Sequence, residues 1–290
     1  MPALSIQSSI AVLVATLVGL AAFPALAGPL VTLVAHRAIY DLSLLSRESG
    51  SSVMTVRGRM VHEFSGASCE GYSVSMRWVA EMGGPSGDVD VEDIRFASFE
   101  EGDSASYSFT SVRRRNDALV GEVKAHALRA AAGKAGRVRL SAPADGEVAL
   151  PAGAIFPTAH LRSIIRMAMG GEHIVEQDVY DVSEDGRQIY HTLAVVGAPH
   201  EAMRPSATEA EPARKALAGL REWRVTVSYF EGTGAGDETP AFSQSFDLFE
   251  NGVESGLVLD YGDFVIRGRL ADLEYLDAPD CAGAPGPGAG

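Results

Sequence analysis

An alternation of apolar and polar residues recurs along most of this chain and limits what it can fold into. It runs through residues 40–46 (YDLSLLS), 56–64 (VRGRMVHEF) and 72–82 (YSVSMRWVAEM). Period two sends successive side chains to opposite faces, so such a segment suits a strand with one face in a core and the other in water. The pattern resumes at 88–100, 106–112, 118–128 and 136–143, with turn-forming pairs such as Gly102-Asp103 and Asn116-Asp117 between segments. Short strands joined by tight turns, with no helical periods between them, read as an antiparallel meander and not as βαβ units.

A Pro- and Gly-rich break near Pro151 leads into the one strong helical signature. Leu161, Ile164, Ile165 and Ala168 stand at i, i+3, i+4 and i+7, which is one apolar face. Thr158 is placed to cap the start, and Gly170 and Gly171 to stop the helix. The expectation is one amphipathic helix over 159–169 with that face packed on the sheet. Strands return at 173–181 and 188–197 across the Asp185-Gly186 step, a hairpin signal. Residues 198–220, rich in Ala, Pro and Glu, read as a surface insertion with a short helix at 213–220. Four alternating segments, 223–232, 241–252, 253–263 and 264–276, then form an up-and-down series. The expected fold class is all-β: a many-stranded antiparallel β-spiral or open barrel with one amphipathic helix. Curling a long sheet in this way hides its edges.

The first residues supply an address. Residues 10–23 are apolar, Pro24 breaks the run, and Ala25 to Ala27 form an A-x-A site. That is the pattern of a signal peptide over 1–27, although its start carries no Lys or Arg. The run is shorter than the roughly 20 residues of a spanning helix. The expected organisation is a cleaved segment 1–27, a single β domain over 28–281 and a Gly/Pro tail over 282–290. No charged side chain lies in 1–27, so the net charge stays at 24 − 38 = −14. Such a surface repels phosphate backbones and anionic lipid heads, which argues against nucleic-acid binding and against membrane adhesion by bulk charge. The expected product is a soluble exported protein, periplasmic in a cell with two membranes, with no transmembrane segment after cleavage.

Export bears on the two cysteines. Cys69 and Cys281 are an even pair in an oxidising compartment, so a Cys69–Cys281 disulfide is expected. No C-x-x-C occurs, and no His cluster of ligand spacing lies near either thiol.

The segments AHRAIYDLSL, GRMVHEFSGASCEGYSVSMRW, FPTAH and DGRQIYHTLAVVG resemble, in order and over nearly the whole exported chain, the EipB family of alphaproteobacterial periplasmic proteins. The resemblance implies a many-stranded open β-spiral and a role in cell-envelope integrity. It also implies a disulfide from an early turn to the C-terminus, which falls on Cys69 and Cys281. It carries over no catalytic residue and no cofactor.

The residues themselves give no enzyme motif. There is no G-x-S-x-G elbow and no H-E-x-x-H pair. His160 in FPTAH reads as a first-turn helix residue bonded to a neighbouring loop, not as a base. Asp88, Asp90 and Glu92 fall on one strand face and read as solvated, not as a calcium site. Arg113 to Arg115 read as a charged strand end. The glycine run 232–238 lies between two strands, not between strand and helix, so it is no nucleotide loop. Two function classes remain: a non-enzymatic protein that docks on envelope partner proteins, or a carrier whose concave sheet holds an acyl chain or lipoprotein segment. A filled interior favours the first and an open apolar cavity the second.

Overall fold

The structure, a computed structural model, describes residues 31–183, 185–201, 209–231 and 239–281. The expected signal segment 1–27, the tail 282–290 and the glycine turn 232–238 lie outside these residues.

The first eight strands are β1 (His36–Arg47), β2 (Thr55–Ala67), β3 (Gly71–Gly83), β4 (Val89–Glu100), β5 (Ser106–Arg115), β6 (Ala118–Arg129), β7 (Gly136–Ala142) and β8 (Gly146–Leu150). Helix α1 (Pro157–Met169) follows, then β9 (Ile174–Tyr180), β10 (Ile189–Val196), the two-residue β11 (His200–Glu201) and helix α2 (Glu211–Leu217). The chain ends on β12 (Arg221–Glu231), β13 (Phe242–Phe249), β14 (Glu254–Asp260) and β15 (Phe264–Tyr275).

One continuous antiparallel path orders fourteen of these strands 8-7-6-5-4-3-2-1-15-14-13-12-10-9, and β11 adds to β12. The first and last strands are therefore neighbours, with His36 opposite Tyr275 and Arg47 opposite Phe264. From that seam the sheet curls both ways until β8 and β9 face each other. The connection after β8 crosses the remaining gap. Ile155 pairs with Val179, its N–H donating to Asp178 O at 2.8 Å and its carbonyl accepting from Tyr180 N–H at 2.9 Å. The result is a nearly closed barrel, as the alternation predicts.

The inward phase of each strand fills two apolar clusters. The larger joins β1–β3, β10 and β12–β15 to both helices; the smaller gathers Tyr107, Phe109, Val138, Leu150, Phe156 and Tyr180. In β1 the buried residues are His36, Ala38, Tyr40 and Leu42, an unbroken period of two.

Helix α1 starts earlier than the sequence predicts, and Thr158 is not its cap. Phe156 holds the N-cap position with no side-chain bond, and Pro157 opens the first turn. Proline fits there because its missing N–H would lack an intrahelical partner anyway. The N–H groups of Thr158 and Ala159 go instead to the carboxylate of Glu100, at 2.8 and 3.1 Å. Of the predicted face, Ile164, Ile165 and Ala168 are buried and Leu161 is partly buried against the large cluster.

Three further expectations need correction. The short helix expected at 213–220 is α2, which begins two residues earlier, but the segment read as a surface insertion is docked where it is described. Ala213 and Leu217, an i, i+4 pair, are fully buried, and Ala210 N–H donates to Leu270 O at 3.1 Å. Strand β8 (GEVAL) is too short for its alternation to stand out in the sequence. The acidic run is solvated at Asp88 but not at Glu92. Val89 and Val91 point outward, whereas Glu92 is only 8% exposed and pairs with Arg115. The phase is set downstream by Ile94 and Phe96, which belong to the inward row. Asp90 accepts from Asn116 Nδ2 at 2.7 Å. Arg113 to Arg115 do close a strand, ahead of a turn in which Asn116 and Asp117 both have positive φ.

Cys69 lies in the β2–β3 turn and Cys281 beyond β15; a disulfide joins them, with Cα atoms 5.8 Å apart. The tie is possible because β15 returns beside β1.

Candidate functional site

The curled sheet does not fill its own interior. A cavity of about 360 Å³ lies between the inward faces of β1–β5, the strands β12–β14 and one side of α1. That volume is within the range of small-ligand pockets.

Strand register builds its walls. Opposed across β2, β3 and β4, Phe64, Val74 and Ser98 make one inward row. His62, Met76, Phe96 and Ser111 make the next, two residues along each strand. Val227 and Gln244 face each other across β12 and β13 on the far wall. Helix α1 contributes Thr158, His160, Leu161 and Ile164. Leu161 and Ile164 thus line the cavity, while Ile165 and Ala168 pack in the core behind it. The disulfide lies outside this lining.

Polar groups punctuate the apolar wall, and several of them are engaged. Tyr40 Oη donates to Glu254 O at 2.7 Å, and Gln244 Nε2 donates to Tyr229 Oη at 2.7 Å. Asp181 Oδ1 accepts from Val182 N–H at 2.7 Å and from Tyr107 Oη at 3.4 Å. Thr192 donates its only hydroxyl proton to Gln177 O at 2.9 Å, so His160 Nε2, 3.2 Å away, is the donor to Thr192 Oγ. The partner of His160 is therefore a strand hydroxyl and not the loop group expected.

Burial tunes the charges. Desolvation lifts Asp181 to about 6 and Glu254 to about 7, and it lowers His62 and His160 to about 4. Each shift favours the neutral form. Among the described residues lining the cavity there is no Lys or Arg. The site suits an uncharged chain with a few hydrogen-bonding points, and it offers no cation to hold an anionic head.

The sequence reading did not single out His62, Asp181 or Glu254. A usable signal existed for His62, which shares the inward phase of its strand with Met60 and Phe64. Asp181 follows the end of β9 and Glu254 opens β14, where alternation says little.

Among the described residues no helix is long and apolar enough to cross a membrane. The family described as EipB-like matches residues 27–277. The cell envelope integrity protein EipB of Brucella abortus (strain 2308) is 34% identical over 247 residues, which is 85% of this chain and 86% of that protein. A crystal structure of a β-barrel-like protein from Brucella abortus, titled as a domain of unknown function, superposes with a TM-score of 0.77 at 32% identity. It covers 86% of this chain and 100% of that one.

Proposed function

This chain belongs to the EipB-like family, and on that premise we propose that it maintains cell-envelope integrity without catalysing a reaction, by holding an apolar chain in its interior. The name of its Brucella relative supports the envelope role. The cavity of about 360 Å³ is the observation that carries the reading of a carrier. Its lining pairs methionine, valine, isoleucine and phenylalanine side chains with neutral polar groups. Each methylene moved from water into such a wall gains about 0.8 kcal/mol. The lack of a Lys or Arg among the described lining residues favours an esterified or amide-linked acyl chain, as on a lipid or lipoprotein, over a free carboxylate. His160, the most noticeable histidine of the sequence, spends Nε2 on Thr192 and is held neutral, which supports a binding role over catalysis. We place the protein in the periplasm as a single unit over 28–281, after cleavage behind Ala27.

A second reading, docking on envelope proteins, draws on four exposed apolar side chains at one end of the two strands that flank β5. Val89 and Val91 on β4, and Leu119 and Val120 on β6, all face solvent.

Complementation separates the two. A strain lacking the gene should be sensitised to detergent and to cell-wall stress, and the wild-type chain should restore resistance. Ile94→Trp, which puts bulk into the cavity, should fold and accumulate but fail to restore it. Full rescue by Ile94→Trp would favour docking, and a deletion strain with unchanged sensitivity would contradict the envelope role itself.

A further inference from the structure

On the side of α1 away from the cavity lies a second cleft, of about 370 Å³, with an opposite chemistry. Arg162, Ser163 and Arg166 line it from α1, Asp103 and Ser104 from the β4–β5 turn, and Arg129 from the end of β6. Arg162 and Arg166 are i, i+4 neighbours, so they share a helix stripe opposite the apolar one. Arg129 is the last residue of β6 and sits in its inward phase, after buried Ala125 and Ala127.

Arg129 is the unusual member, a cation only 5% exposed. Its guanidinium carbon lies 4.4 Å from the centre of the Phe156 ring, and Nη1 donates to Ala154 O at 2.8 Å. Nε and Nη2 have no hydrogen-bond partner among the described residues, and neither has Nε of Arg162. Buried donors are ordinarily satisfied, and each left without a partner costs about 1–3 kcal/mol.

The nearby carboxylates do not take these donors. Glu100 accepts from Ser104 Oγ, Thr158 N–H and Ala159 N–H at 2.9, 2.8 and 3.1 Å, so it moderates the charge of Arg129 without bonding to it. Asp103 Oδ1 accepts from Ala105 N–H at 2.9 Å. Helix α1 itself contains no acidic residue. In a chain of net charge −14, three arginines thus line one cleft with a single carboxylate among the described residues of its wall.

We propose that this cleft binds a phosphoryl group, held by Arg129, Arg162 and Arg166. Guanidinium forks match oxyanions in paired hydrogen bonds, and a phosphoryl group brings at least two non-bridging acceptor oxygens and a charge of about −1 in a diester or near −2 in free phosphate. Its oxygens would meet the more exposed forks of Arg162 and Arg166, with the buried charge of Arg129 behind them. The acidic surface does not cancel a site of this kind, because at about 0.1 M salt solvent-exposed charges more than about 10 Å away are largely screened. The same chemistry is presented by a soluble phosphate and by an anionic lipid headgroup. This inference is independent of what fills the cavity.

The test titrates the folded chain at about 0.1 M ionic strength with inorganic phosphate. In parallel it floats the chain with phosphatidylglycerol vesicles, using phosphatidylcholine vesicles as control. Arg162→Gln/Arg166→Gln changes the more exposed pair and should keep the wild-type melting temperature. Saturable one-site binding in either arm, weakened at least tenfold in the double variant, is the expected result. Binding of phosphate alone would identify a soluble ligand, and selective flotation with phosphatidylglycerol a headgroup. No saturable binding in either arm, or binding that the double variant leaves unchanged, would overturn the proposal. Ile94→Trp should bind as the wild type does.

Discussion

The carboxylate of Glu100 accepts the backbone N–H of Thr158 at 2.8 Å, across 58 positions of sequence. That bond and its companion to Ala159 N–H fix the end of β4 to the first turn of α1, and so set where the helix enters the barrel. Replacing Glu100 by Ala should cost on the order of 2–3 kcal/mol, since two buried helix N–H groups lose their acceptor. Glu100→Gln keeps one acceptor oxygen and should cost about half as much. Urea unfolding checks this; an unchanged midpoint for Glu100→Ala would remove the capping role.

Period-two alternation made the strands readable, and the i, i+3, i+4, i+7 spacing made the α1 face readable, because both report which side of an element is apolar. They do not report which element lies opposite. Glu100 therefore looked like any strand-end carboxylate, and Thr158 like an ordinary cap. For the same reason Glu92 was read as solvated, although its phase in β4 turns it inward to Arg115. The cavity depends on how far the sheet curls before Ile155 meets Val179, and a local pattern holds no record of that closure. Arg129 was passed over because one arginine at a strand end is unremarkable until Phe156 and Ala154 are seen beside it.

The disulfide closes a loop spanning 212 positions, which in the chain-entropy account stabilises the fold by about 5 kcal/mol. Cys69→Ser and Cys281→Ser should lower the melting temperature equally, and the double variant should be no worse than either. Reductant should lower the wild type's melting temperature and leave the double variant's alone. Additive single effects would mean that the cysteines act separately.

Opposed pH dependences meet in the cavity wall. Asp181 and Glu254, held near 6 and 7 against ordinary values of 3.8 and 4.5, keep their protons longer in the folded chain. Their contribution to stability is fully present below about pH 4 and is lost as pH rises through their folded values. His62 and His160, held near 4 against 6.5, act the other way: the unfolded chain takes up their protons first, so stability falls as pH drops from 6.5 towards 4. Asp181→Asn removes one falling limb while keeping an acceptor for Val182. It should gain on the order of 2 kcal/mol over wild type at pH 8, and the gain should vanish near pH 4. Equal differences at both pH values would contradict the assignment.

Ile164 is 2% exposed on the α1 face and also lines the cavity. Ile164→Asp buries a carboxylate there with no partner of opposite charge. It should destabilise by about 4 kcal/mol or prevent folding. A neutral result in thermal unfolding would mean that α1 is not docked.

The central claim is that the interior holds an acyl chain, and its most direct test is the lipid content of the protein purified from its own envelope. Mass spectrometry of solvent extracts should find acyl-bearing species at close to one equivalent in the wild type. Ile94→Trp should carry at least tenfold less at equal yield and folding. Wild-type preparations that are repeatedly lipid-free, and that take up no apolar fluorophore, would contradict the claim.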